Sequence, residues 1–326
     1  MRGWRGLVWT GLLAACLAGC GGSAPSPDGG ASPDAGSVRV ATSIAPLGHF
    51  LERIGGGAVT VTVLVPAGQA AETFQVLPRQ MEELSRSRVY FLAGMPFEEA
   101  LAGKLRGMPG SPKIVDLREH VDLLHFDCGA EDGPHGHTST ASIESTPSTG
   151  GHGGHDHGHD HSHEGPDPHY WMDPLRVKRV AAAMEAALAE AFPAQAASFA
   201  ANRAALDAEL EAVHARVAEV LAPFRGGVMH VHHPAFGYFC DRYGLKQEAL
   251  ESAGKSPGAR RINELAEAMK DAGVATVFTQ PQFTQGEAAA LAETVGARLV
   301  VLDDLAPDYA ENLERMARAL AEGLAR

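Results

Sequence analysis

The feature that most constrains the fold is an alternation of β-rich and helix-like sequence that occurs twice. Short runs rich in β-branched and apolar residues at 38–44, 58–65, 88–92 and 113–117 are separated by stretches that read as helix. After Arg225 the pattern returns, with runs at 227–232, 245–250, 275–279 and 298–303 alternating with helix-like stretches that begin at Ala235, Gly258, Gln285 and Tyr309. A strand that returns beside its predecessor in the same direction needs a long crossover, so strands that alternate with helices predict parallel pairing. The expected fold class is α/β: two lobes, each with a parallel four-stranded sheet flanked by helices.

Residues 174–221 are strong helix formers, rich in Ala and Glu and broken once by Pro193. The piece 194–221 makes about 42 Å of helix at 1.5 Å per residue, and it reads as a long rigid helix joining the lobes. Phe199, Leu206, Leu210, Val213, Val217 and Val220 recur at three-, four- and seven-residue steps, one apolar face read as core packing and nothing else. The organisation expected is an N-terminal lobe at 38–192, a connecting helix at 193–222 and a C-terminal lobe at 223–326.

The chain opens with Arg2 and Arg5, an apolar run at 7–17, and then Leu17-Ala18-Gly19-Cys20, the layout of a secretory signal over residues 1–19. The segment is too short and wrongly flanked for a spanning helix. A cysteine directly after Leu-Ala-Gly resembles the lipobox of bacterial lipoproteins, which implies that Cys20 is diacylated and becomes the first mature residue. An ordinary cleaved signal with Cys20 incidental is the alternative. Residues 20–37 are mostly Gly, Ser, Pro, Ala and Asp, the composition of a flexible tether between anchor and body. The expected location is an exported, lipid-anchored protein at a membrane facing the periplasm or the cell exterior. The formal charge of −13 becomes −15 when Arg2 and Arg5 leave with the signal; that balance argues against nucleic acid and suits attraction of cations. The chain is read as a monomer. In an oxidising compartment Cys128 and Cys240 form a possible disulfide, although two lone cysteines make no scaffold.

Residues 127–168 differ in kind. They hold eight histidines (His135, His137, His152, His155, His157, His159, His161 and His163), eight acidic residues, and no Lys or Arg. A loop of this length is normally functional or disordered. Neutral imidazole is the commonest metal ligand at physiological pH, so the tract offers overlapping auxiliary sites, above all at His152, His155, His157, His159, His161 and His163. A merely solubilising linker leaves the choice of histidine unexplained.

Directly after this loop comes Asp167-Pro168-His169-Tyr170-Trp171-Met172-Asp173-Pro174, followed by His233-Pro234-Ala235-Phe236-Gly237-Tyr238-Phe239 and Tyr243-Gly244-Leu245. Gly254-Lys255-Ser256-Pro257, Gln280-Pro281-Gln282-Phe283 and Leu302-Asp303-Asp304-Leu305 continue the series. Each is weak alone, but in this order and spacing, and over essentially the whole chain from Val38, they resemble the zinc- and manganese-binding lipoproteins of ABC importers. The resemblance implies a metal held between the lobes with two ligands from each, and it assigns His169, His233 and Asp303. His233 and Asp303 also fall at the C-terminal ends of predicted parallel strands, where open α/β sheets place ligands. Period two puts His230 and His232 on one sheet face, as core or supporting histidines, while His233 leaves the strand towards the cleft.

The first-lobe ligand departs from the family pattern. The family has Pro-Gly-x-x-Pro-His-Thr-Tyr/Phe-Glu-Pro, whereas this chain reads Gly68-Gln69-Ala70-Ala71-Glu72-Thr73-Phe74-Gln75-Val76, with Glu72 where the histidine stands. A carboxylate ligates Zn²⁺ at about 2.0–2.2 Å, and it hardens the site towards Mn²⁺. Alternatively Glu72 points away and water fills the position. The function expected is capture of Zn²⁺, or alternatively Mn²⁺, and delivery to the membrane permease of an ABC importer, with no catalysis. A periplasmic zinc buffer or chaperone acting through the histidine loop is the runner-up. A secreted mononuclear zinc hydrolase is disfavoured, because the chain has no His-Glu-x-x-His and no convincing general base beside a ligand.

Overall fold

The computed structural model describes residues 38–125, 166–251 and 258–325. Cys20, Cys128, the six auxiliary histidines and Gly254-Lys255-Ser256-Pro257 lie outside the described residues.

Each β-rich run becomes a strand. The first sheet comprises β1 (Val38–Thr42), β2 (Val59–Val63), β3 (Val89–Leu92) and β4 (Lys113–Asp116) in the order β2-β1-β3-β4. The second repeats that order with β5 (Val228–Val231), β6 (Lys246–Ala249), β7 (Thr276–Thr279) and β8 (Arg298–Val301), as β6-β5-β7-β8. Every pairing is parallel, with Val38 opposite Val59, Val89 opposite Lys113 and Val231 opposite Ala249. The central strands β3 and β7 are buried along their whole length, as sheets covered on both faces require.

The crossovers are α1 (Ala45–Gly55), α2 (Pro78–Ser85) and α3 (Pro96–Arg106) in the first half, and α6 (Gly237–Tyr243), α7 (Ala259–Asp271) and α8 (Gly286–Val295) in the second, with α9 (Tyr309–Leu324) closing the chain. Between the halves run α4 (Pro174–Ala191) and α5 (Ala196–Leu221). Pro193 separates them, as the sequence implies, through a 3₁₀ turn at Pro193–Gln195. Asp173 starts α4 by accepting the N–H groups of Leu175 and Arg176, with Pro174 in the first turn, where its missing N–H costs nothing.

Helix α5 has 26 residues, about 39 Å. Its buried face is Phe199, Leu206, Leu210, Val213, Val217 and Leu221. Val220 was expected on that face and is only partly buried; the stripe continues past Val217 in a four-residue step, which selects Leu221. One apolar core runs without a break from Val40, Phe50 and Tyr90 of the first half, through α5, to Val231, Phe278 and Leu320 of the second. A smaller cluster of Leu250, Ala266, Met269, Val277, Leu291 and Ala292 lies beneath α7 and α8. Among the described residues no helix is long and apolar enough to cross a membrane.

Candidate metal centre

Three chemistry-bearing side chains meet where the connections leave the C-terminal edges of the sheets. Glu72 stands on the segment between β2 and α2, His169 just before α4, and His233 two residues beyond β5. One ligand atom from each lies within 4.8 Å of the other two. Glu72 Oε1 is 3.4 Å from Nε2 of His169 and 3.4 Å from Nε2 of His233. Both histidines are buried, and Glu72 lies at the mouth with a quarter of its side chain exposed.

Each imidazole is oriented from behind by a carboxylate. Asp167 Oδ1 lies 2.7 Å from His169 Nδ1 and also accepts the backbone N–H of His169. Glu251 Oε2 lies 2.9 Å from His233 Nδ1. A carboxylate on Nδ1 fixes that proton and leaves Nε2 as the donor atom for a metal, the arrangement that raises ligand basicity. His233 Nε2 has no hydrogen-bond partner although it is buried, a cost that a metal ion would remove.

The motifs identified in the sequence serve this geometry. Gln280 grips the backbone of His233, its Nε2 donating to the carbonyl at 2.9 Å, and Phe283 stacks on the imidazole with ring centroids 4.7 Å apart. Tyr238 donates its hydroxyl to the carbonyl of Asp167, and the Trp171 indole N–H donates to the carbonyl of Asp304. At Gly237 a Cβ would sit 2.8 Å from Asp167 Oδ2, so any larger residue there would push that carboxylate from its place.

Burial by itself would raise the Glu72 pKa, but the neighbouring His169 and His233 outweigh it and hold the carboxyl below its ordinary range. Burial would likewise lower His169, and Asp167 and Glu72 together raise it instead. His233 is also raised, by Glu251 and Glu72 against its burial. These carboxylates favour the protonated histidines, so a cation that takes the Nε2 atoms competes with protons.

Asp303 is not in the three-residue cluster. Its Oδ1 accepts from Gln282 Nε2 at 2.5 Å and from the backbone N–H of Leu305 at 3.0 Å. Its neighbour Asp304 is buried, and burial pushes its pKa up to about 6 while the charges of His169, Glu72, His233 and Asp303 all act on it. Sequence reasoning passed over Asp304, Asp167 and Glu251. The observed register explains Glu251: Val231 faces Ala249, so two residues further on Glu251 comes beside His233. His230 is half-buried, 3.4 Å from Glu248; His232 is buried, with Glu251 and Glu287 about its Nε2 at 4.0 and 3.9 Å. Neither is in the three-residue cluster. Cys240 is a buried free thiol, pushed up to about 12 by burial, and Cys128 lies outside the described residues.

Comparison with known proteins places the chain in a family. The family model for ZnuA, described as zinc-uptake complex component A, periplasmic, matches residues 40–323. The high-affinity zinc uptake system protein ZnuA of Brucella suis biovar 1 is 30% identical over 335 residues, covering 97% of this chain and 98% of that protein. The zinc-binding lipoprotein AdcA of Streptococcus pneumoniae is 24% identical over 273 residues, covering 83% of this chain and 50% of that protein. A crystal structure of ZnuA superposes with a TM-score of 0.75 at 29% identity, covering 89% of this chain and 100% of that one. With the match running through both sheets and the helices between them, the chain belongs to the ZnuA family of periplasmic zinc-uptake components.

Proposed function

We propose that this chain captures Zn²⁺ at the Glu72–His169–His233 cluster and delivers it to the membrane permease of an ABC importer. The observation that carries the reading is the pair of histidines whose Nδ1 atoms are held by Asp167 and Glu251 while their Nε2 atoms converge on Glu72. Two imidazoles and a carboxylate form an N/O donor set suited to zinc. A second carboxylate from the Asp303–Asp304 pair completes four ligands and neutralises the divalent charge. Asp303, the ligand implied by family resemblance, must first leave Gln282, whereas Asp304 must ionise against its burial and the charges of Glu72 and Asp303. Relatives carrying zinc in their names support Zn²⁺ over the manganese that the Glu72 substitution alone would favour.

The role is binding and not catalysis, because the carboxylates around the histidines are used to orient them or to balance charge. The histidine-rich stretch adds weaker zinc sites, and Cys20 carries the lipid that keeps the monomer at the membrane. Native mass spectrometry of the chain with residues 135–163 deleted tests the reading. One tightly held zinc is expected per chain, lost in His169→Ala and in His233→Ala; retention of wild-type affinity in the double variant would place the site elsewhere.

A further inference from the structure

The edge of the first sheet opposite the metal centre carries a groove of about 760 Å³ lined by Arg39, Arg86, Arg88 and Lys113. Parallel strands bring their starts together. Arg39 lies in β1, Arg88 immediately precedes β3 and Lys113 opens β4, and backbone bonds from Arg88 to Arg39 and from Lys113 to Arg88 hold the three in a row. Arg86 joins them from the end of α2. Arg86, Arg88 and Lys113 are exposed. Glu82 meets Arg86 at 2.7 Å and Glu190 meets Lys113 at 2.5 Å, while Arg88 has no carboxylate partner among the described residues. Four of the residues lining the groove are cationic and one, Glu190, is acidic, in a chain of formal charge −13. Val38, which also lines it, is the residue from which the chain runs back through 21–37 to Cys20.

We propose that this groove is a docking surface for the anionic face of the membrane that holds Cys20, seating the body with its metal centre turned away from the bilayer. The proposal rests on the lipoprotein reading above. At physiological ionic strength charges act over about 8 Å, so the groove interacts with the surface while the acidic remainder of the protein is screened from it. Each Lys or Arg close to an anionic leaflet favours the bound state roughly fivefold. The covalent reach of residues 21–37 is at most about 60 Å, which keeps the body near the surface and leaves charge to decide which face meets it. Seated this way, the metal centre faces the compartment from which zinc is captured, and delivery requires the groove to let go.

The test uses the chain from Cys20 onward with Cys128→Ser, coupled through the Cys20 thiol to a maleimide lipid in vesicles of phosphatidylcholine alone or with phosphatidylglycerol. Amine acetylation of Lys113, read by mass spectrometry against Lys270, is expected to fall severalfold on the anionic vesicles only. High salt and the double variant Arg86→Glu, Arg88→Glu should abolish the protection, and the same double variant with residues 135–163 deleted should still bind one zinc, which shows that it is folded. Equal labelling of Lys113 on both vesicles overturns the proposal. So does protection by inorganic phosphate on neutral vesicles, which would make the groove a small-anion site. Because coupling replaces the native lipid, failure here is failure of the groove; failure of the lipoprotein reading shows instead as an exported chain that takes up no fatty-acid label.

Discussion

Glu72→Gln keeps the shape of the side chain and removes its charge. Glu72 Oε1 lies 3.4 Å from both Nε2 atoms, a distance at which a unit charge pair is worth about 5 kcal/mol at an effective dielectric of about 20. A quarter of the Glu72 side chain is exposed, and solvent screening reduces that figure to about 3 kcal/mol for a divalent ion held in the same place. Zinc affinity at neutral pH is therefore expected to fall roughly a hundredfold. The assay is competition against a chelator of known affinity, on the chain lacking residues 135–163 so that auxiliary histidines do not contribute. Glu72→His, which restores the residue usual in the family, should recover zinc binding and raise the preference for Zn²⁺ over Mn²⁺, since imidazole suits the former and carboxylate the latter. A Glu72→Gln protein that binds zinc within threefold of wild type would show that water, and not Glu72, occupies the coordination position.

Glu251→Ala frees the Nδ1 side of His233, and a 10–100-fold loss of zinc affinity is expected, partly restored in Glu251→Gln, whose amide oxygen still accepts from Nδ1; an unchanged zinc off-rate in the alanine variant would remove Glu251 from the site. Because His169 and His233 are both raised, zinc competes with protons there: affinity should climb with pH towards their folded values and fall on acidification, more steeply below about 6, where Asp304 also takes a proton. Metal-free stability runs the other way. The raised histidine values contribute fully below the unfolded value of about 6.5 and are lost as pH climbs through the folded ones, so melting of the apo protein from pH 6 to 10 should show a decline that zinc abolishes. Gly237→Ala forces Asp167 Oδ2 away from a Cβ at 2.8 Å, and zinc affinity should drop at least tenfold; a variant that folds and binds normally would show that Asp167 has room to move.

The fold was legible because its two signals are periodic and local. Every strand appears within a β-rich run, and Pro193 separates the two helices where the sequence places it. The second-half histidine was legible for a related reason: His233 follows a strand whose register is fixed by burial of Met229 and Val231. What the sequence left unread depends on three-dimensional neighbours. Asp303 and Asp304 are adjacent and chemically identical, and only the fold shows that Gln282 holds one of them while the other is buried within reach of the histidine charges. Asp167 and Glu251 act through the histidines behind which they stand, so no ligand pattern singles them out.

The continuous core bears on how the metal leaves. A protein whose halves shared only a hinge could free its cargo by swinging apart; here separation would expose side chains such as Phe199 and Leu210, each worth about 1.5–3 kcal/mol in contact with water. His169 and His233 are seated in that packed interior; Glu72 stands between Ala71 and Phe74, which are buried there too, but its own side chain is a quarter exposed and residues 66–69 of the same connection are all exposed. Loss of zinc by separation of the halves therefore carries a large cost in exposed apolar surface, which favours release through local movement at the mouth where Glu72 stands.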